Sequence, residues 1–124
     1  MGKLAIGYVY FKGAKLPDNA EISLEATGEP LGEFENIVAI PIEEGYSTSN
    51  GIVGTAQNIF GTRVTGPISV EAVCFSNKGE LTDGYSGFAT KDALADGDRS
   101  SFQLDVYGEK CERFLLGASG FTST

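Results

Sequence analysis

Apolar and polar residues alternate in short runs along this chain, and glycine-rich turns separate the runs. The stretch that organises the rest is residues 66–75, which read as a strand. Ser76-Asn77-Lys78-Gly79 follows, then Glu80-Leu81 starts a returning strand. Gly79 suits the positive φ that closes a short hairpin, and Asn77 suits the turn before it. The return, residues 81–90, carries Tyr85 and Phe88 among Gly84 and Gly87.

The same reading extends to both ends. Residues 3–12 put Leu4, Ile6, Tyr8 and Tyr10 on one face and Ala5, Val9 and Phe11 on the other. Such a strand is covered on both sides or pairs with something beyond the domain. Residues 13–19 read as a loop. Residues 21–26 alternate, with Ile22 and Leu24 inward, and residues 27–30 break the run. Residues 36–42 predict a strand that Pro41 places at an edge or a bulge. Residues 43–51 are polar and read as a loop.

Residues 51–60 predict the next strand. Its small face of Gly54, Ala56 and Asn58 invites close approach by a neighbour. Residues 61–66 turn the chain into the 66–75 strand. Beyond the hairpin, residues 91–98 read as a loop with room for a short helical turn. Residues 101–107 alternate with Phe102, Leu104 and Val106 inward, residues 108–110 turn, and residues 111–121 form the last strand. Residues 122–124 are expected to fray.

No stretch sustains a helical period, and no internal repeat stands out. Roughly seven to nine short antiparallel strands in an all-β, immunoglobulin-like two-sheet sandwich is the expected fold. Residues 1–124 are expected to form one domain, with residues 1–50 adding strands to a core over residues 51–121. The 17 Gly and four Pro agree with a fold of many turns.

A formal net charge of −8 argues against nucleic acid and against an anionic membrane surface, since both demand clustered Lys and Arg. Residues 37–42 are the most apolar piece and are far too short to span a bilayer. No leader is visible; Met1-Gly2 reads as an expression start, behind which a leader or further domains could have stood. Cys74 and Cys111 are the only two cysteines. In an acidic, turn-rich β domain they suit one disulfide and an oxidising compartment; the alternative is a pair of buried free thiols.

Candidate chemistry is sparse. The chain has no His, which removes His-based triads and His-ligated metals. Carboxylate pairs for glycoside hydrolysis could come from Glu43 and Glu44, from Asp96 and Asp98, or from Asp105, against the plainer reading of solvated charge. Asp92, Asp96 and Asp98 offer hard oxygen ligands for Ca²⁺; the alternative is a tight turn at Asp96-Gly97-Asp98. Tyr8, Tyr10, Tyr46, Tyr85 and Tyr107 could line a sugar-stacking or protein-binding face, or simply pack. The Gly-rich pieces 84–87 and 117–120 open no helix, so neither reads as a phosphate loop. No Gly-x-Ser-x-Gly elbow occurs.

From Gly51 onward the order of features resembles the FxLYD family, a small prokaryotic immunoglobulin-like module of secreted and cell-surface proteins. Gly54-Thr55-Ala56-Gln57-Asn58 stands where that family has a strand with a small residue and an Asn before a loop. Val70 to Phe75 and then residues 76–81 match its aromatic-ended strand and Asp-x-x-Gly-Lys-like turn. Leu94-Ala95-Asp96-Gly97-Asp98 before Phe102-Gln103-Leu104-Asp105-Val106 matches its Leu-x-Pro-Gly-Glu-like turn and Phe-containing strand, without the Pro. The match covers residues 51–121 and rests on turn chemistry.

Together these features lead to the expectation of a non-enzymatic extracellular module, a spacer or adhesion domain of a bacterial secreted or surface protein, with no cofactor and no small-molecule substrate. Cys74 and Cys111 would be its staple, Gly79 and Gly97 its turn formers, and Asn58 a strand-end hydrogen-bonding residue. One alternative is a subunit that self-associates by strand exchange or sheet-edge pairing, motivated by residues 4–11. Another is a carbohydrate-binding module, which predicts an exposed row of Tyr.

Overall fold

The computed structural model describes residues 17–21, 23, 25–27, 36–107 and 110–122. Among these residues there are eight strands and no helix: β1 (Ile37–Ile40), β2 (Ile42–Thr48), β3 (Gly51–Gln57), β4 (Val64–Phe75), β5 (Leu81–Phe88), β6 (Ala93–Leu94), β7 (Arg99–Asp105) and β8 (Arg113–Thr122). They form two antiparallel sheets, one in the order β1-β8-β4-β5 with β6 on the start of β4, the other in the order β2-β3-β7.

The sheets face each other as a sandwich, and the period-2 pattern explains which side chains meet between them. In β4, Val64, Ile68, Val70, Ala72 and Cys74 are buried; in β7, Ser100, Phe102 and Leu104 are. Ile40, Ile42, Ile52, Leu94 and Leu116 complete the interior. Each such Ile or Leu contributes about 1.5–3 kcal/mol by leaving water.

Two glycines set how closely side chains and layers approach. Gly45 of β2 faces inward, and a Cβ there would run into Leu116 Cδ1 of the opposite sheet. Gly54 of β3 pairs with Phe102 of β7, whose ring occupies the space of the missing side chain. The small face expected on residues 54–58 is therefore filled first by an aromatic ring from the adjacent strand.

Compared with the immunoglobulin arrangement, β2, β3 and β7 stand in the places of strands A, B and E. β5, β4 and β8 stand in those of C′, C and F. The place beside F, where G belongs, is taken by β1, which runs antiparallel to β8 with Ile37 opposite Phe121 and Ile40 opposite Ala118. One extended segment thus edges both sheets and crosses between them at Pro41. On the other flank Ala89 links the layers: its N–H donates to Ile68 and it bridges Phe102.

Several sequence expectations need correction. The strand expected over residues 36–42 is two strands, because Pro41 has no N–H for a ladder and the chain changes sheet there. Residues 43–51, read as a loop, are mostly β2 with a tight turn at Ser49-Asn50. Their polarity belongs to the solvent side of an edge strand, and the inward positions Gly45 and Ser47 carry no hydrophobic signal. The strand beginning at Gly51 stops at Gln57, and β4 starts at Val64 rather than Gly66. A register shift between Thr65 and Ser69 accommodates Gly66 and Pro67, which are joined by a cis peptide bond. Residues 91–98 hold no helical turn; Ala93 and Leu94 pair with Thr65 and Val64. The last strand begins at Arg113, after Cys111. Of the strand expected at 21–26, Glu21, Ser23, Glu25 and Ala26 are exposed and in no strand, while Ile22 and Leu24 lie outside the described residues. The strand expected at 3–12, with Tyr8 and Tyr10, lies outside them too, as does most of the 108–110 turn.

Candidate functional site

One end of the sandwich is organised by Asn58, which follows β3 and is fully buried. Its Nδ2 donates to the carbonyls of Thr62 (2.7 Å) and Leu94 (3.0 Å), and its Oδ1 accepts from the N–H of Phe60 (3.0 Å). Its backbone N–H donates to Asp98 (2.9 Å), and its carbonyl accepts from Gly97 (2.8 Å). The side chain thereby ties the loop after β3 to β6, and the backbone of the same residue ties it to the segment between β6 and β7. Gly97, at φ 85°, turns that segment back, and Gly79, at φ 80°, does the same in the β4–β5 hairpin.

The expected calcium ligands are placed here but do not converge. Asp96 Oδ1 accepts from the N–H of Gly61 (2.9 Å), and Asp98 Oδ2 from the N–H of Ala95 (3.2 Å). Asp92 is exposed just ahead of β6. Among the described residues no three carboxylate or thiol side chains gather as a metal centre requires. The Asp side chains order turns instead.

At the opposite end Cys74, the inward residue near the end of β4, is disulfide-bonded to Cys111, with Cα atoms 5.5 Å apart and a sequence separation of 37. Both residues are buried. The bridge joins β4 to the segment that runs from β7 of the smaller sheet to β8 of the larger one. Beside it opens a cleft of about 450 Å³, lined by Thr82, Asp83, Tyr85, Tyr107, Lys110 and Glu112 among others. Its polar groups are largely engaged with one another. The Tyr85 hydroxyl lies 2.8 Å from the Tyr107 carbonyl and 3.0 Å from Asp83 Oδ2, and Asp83 Oδ1 accepts from Gly84. Burial, with Asp83 adding to it, pushes the Tyr85 phenol above its usual pKa. Lys110 lies 3.6 Å from Glu112.

The outer face of the three-stranded sheet mixes polar and apolar groups. Reading across the strands, Glu44, Thr55 and Ser101 form one row and Tyr46, Val53 and Gln103 the next. A shallow groove of about 390 Å³ follows these rows, with Thr90 at its side. Tyr46 is 58% exposed, and its hydroxyl donates to Glu44 Oε2 at 2.8 Å, which holds the phenol's pKa up. At the sheet's margin Arg99 holds Glu43 through two hydrogen bonds of 2.6 and 2.9 Å. The guanidinium lowers the Glu43 pKa from its usual 4.5. Whatever stability this pair adds is present above that value and is lost as pH falls through the lower folded one. Both groups are exposed, so the effect is small.

Among the described residues the tyrosines do not form one row: Tyr46 lies on a sheet face, and Tyr85 and Tyr107 at the disulfide cleft. The carboxylates proposed as catalytic pairs are dispersed as well. Glu43 faces Arg99, Glu44 faces Tyr46, and Asp105 accepts from Gln103 (3.4 Å). Sequence reasoning did not single out Thr55, Thr90, Ser101 or Gln103. They come from separate segments, and only strand register brings them to one groove.

No protein-family model, no curated protein and no solved structure matches this chain.

Proposed function

We infer that this chain is a non-enzymatic structural and interaction module that works outside the cytoplasm, in a bacterial secreted or cell-surface protein. The observation that carries the reading is the Cys74–Cys111 disulfide, since bridges of this kind persist in oxidising compartments. Two features of the sequence support it: the turn order that resembles the FxLYD family, and the strongly acidic balance, which suits a soluble domain. The decisive experiment takes the protein from cells that make it naturally, quenches in acid, and alkylates free thiols before and after reduction. Both thiols are expected to label only after reduction. Labelling of both beforehand would place the chain in a reducing compartment and overturn the reading.

Self-association is the second reading, and the outer face of the larger sheet favours it. Ile37, Leu81, Phe88 and Leu115 are 57, 67, 64 and 48% exposed there. Apolar surface left open in this way is common at protein contacts. Light scattering over a rising concentration series is expected to report a mass above 13.1 kDa. A constant monomer mass at the highest concentration removes this reading.

A further inference from the structure

We propose that the groove on the outer face of the β2-β3-β7 sheet binds a neutral oligosaccharide, with Tyr46 as its stacking platform. The proposal deepens the interaction-module reading and rests on it. Its basis is the kind of surface this is. Glu44 and Tyr46 are two residues apart and face the same way, so their hydrogen bond draws the phenol along β2 instead of letting it stand upright. The ring then offers a face at the sheet's surface, 58% exposed. A pyranose presents a face of C–H bonds, and the electron-rich face of an aromatic ring suits it.

The groups around the ring match hydroxyls rather than charges or apolar side chains. Glu44 keeps Oε1 to accept from a sugar hydroxyl while Oε2 holds Tyr46. Gln103, whose Nε2 reaches Asp105, keeps its carbonyl oxygen as an acceptor, Thr55 adds a hydroxyl from β3, and the Ser101 hydroxyl on β7, 3.1 Å from Thr90 Oγ1, keeps acceptor capacity beyond that bond. Val53 is the one apolar side chain in these rows. The groove is open and shallow, unlike the enclosed apolar pockets that anchor protein partners. A net charge of −8 disfavours phosphorylated or nucleic ligands. Three strands give a platform about 10 Å across, wide enough for a short run of sugar rings. The disulfide-end cleft suits a neutral sugar less well, because the charged groups of Asp83, Lys110 and Glu112 line it.

The test titrates isotope-labelled protein with cellotetraose, xylotetraose, maltotetraose and chitotetraose while amide shifts are recorded. At least one tetrasaccharide is expected to move the amides of Tyr46, Val53, Thr55, Ser101 and Gln103 and to leave the Tyr107 region still. Tyr46→Ala then weakens binding roughly tenfold or more, Tyr46→Phe, which keeps the ring but loses the bond to Glu44, weakens it less than Tyr46→Ala does, and Tyr107→Ala changes nothing. Silence with all four sugars, shifts centred on the disulfide cleft, or full binding by folded Tyr46→Ala each overturns the proposal. These outcomes concern this face alone. The thiol state of natural protein is measured separately, so failure of the glycan site and failure of the extracellular reading are distinguishable.

Discussion

Asn58→Ala lowers the free energy of unfolding by about 3 kcal/mol, read as a lower urea midpoint at unchanged slope. The substitution deletes three hydrogen bonds at once: two donated by Nδ2 to Thr62 and Leu94, and one accepted by Oδ1 from Phe60. The orphaned groups differ in cost. The bond to the Leu94 carbonyl is buried, and water reaches that group poorly, so most of the desolvation penalty falls there. Thr62 is exposed, and its carbonyl regains a partner from solvent. The backbone bonds of residue 58 to Asp98 and Gly97 survive the change, which keeps the fold recognisable. A loss below about 1 kcal/mol would mean that water replaces the amide, and that this end of the sandwich is not held by Asn58.

Removing the disulfide has an effect of similar size by another route. With a sequence separation of 37 between Cys74 and Cys111, chain-entropy reasoning gives a loss of about 4 kcal/mol for the Cys74→Ala/Cys111→Ala variant. Alanine is the better replacement, because both positions are buried and a serine hydroxyl would need a new partner. Against the usual 5–15 kcal/mol for a domain, the variant retains a native state but a marginal one. Because the bridge acts chiefly on the unfolded chain, the slope of the urea transition rises as the denatured ensemble expands. Equal unfolding free energies in water for the bridged and alanine forms, each taken as slope times midpoint, would show that the bridge contributes nothing to stability. The test is independent of where the protein resides in the cell.

Much of the fold can be read from local pattern. Residues 66–81 predict a hairpin, and β4 and β5 form it, with Gly79 at positive φ where the turn demands it. Residues 101–107 predict Phe102 and Leu104 inward, and both are buried. The failures share a cause. Residues 43–48 look like a loop because an edge strand with one wet side and with Gly45 and Ser47 on its dry side has no alternating apolar signal. The strand expected at 36–42 looks continuous because sequence cannot show that its two halves bond to different sheets on either side of Pro41. The candidate site was less legible than the fold. Tyr46 stood out as an aromatic residue, but nothing near it in sequence points to Ser101 or Gln103.

By itself, the sequence determined the class of structure and its punctuation: alternation of period 2, glycine at the left-handed turns, an Asn at the end of β3, and two cysteines. These are properties of a few consecutive residues, where backbone sterics and side-chain periodicity act directly. The expected Cys74–Cys111 bridge is formed, but only the packing of distant segments fixes which strands are neighbours, that β1 occupies the edge beside β8, and that Glu44, Tyr46, Thr55, Ser101 and Gln103 share one groove. Those outcomes depend on contacts between segments far apart in the chain, which form only when burying both apolar faces outweighs the entropy of bringing the segments together.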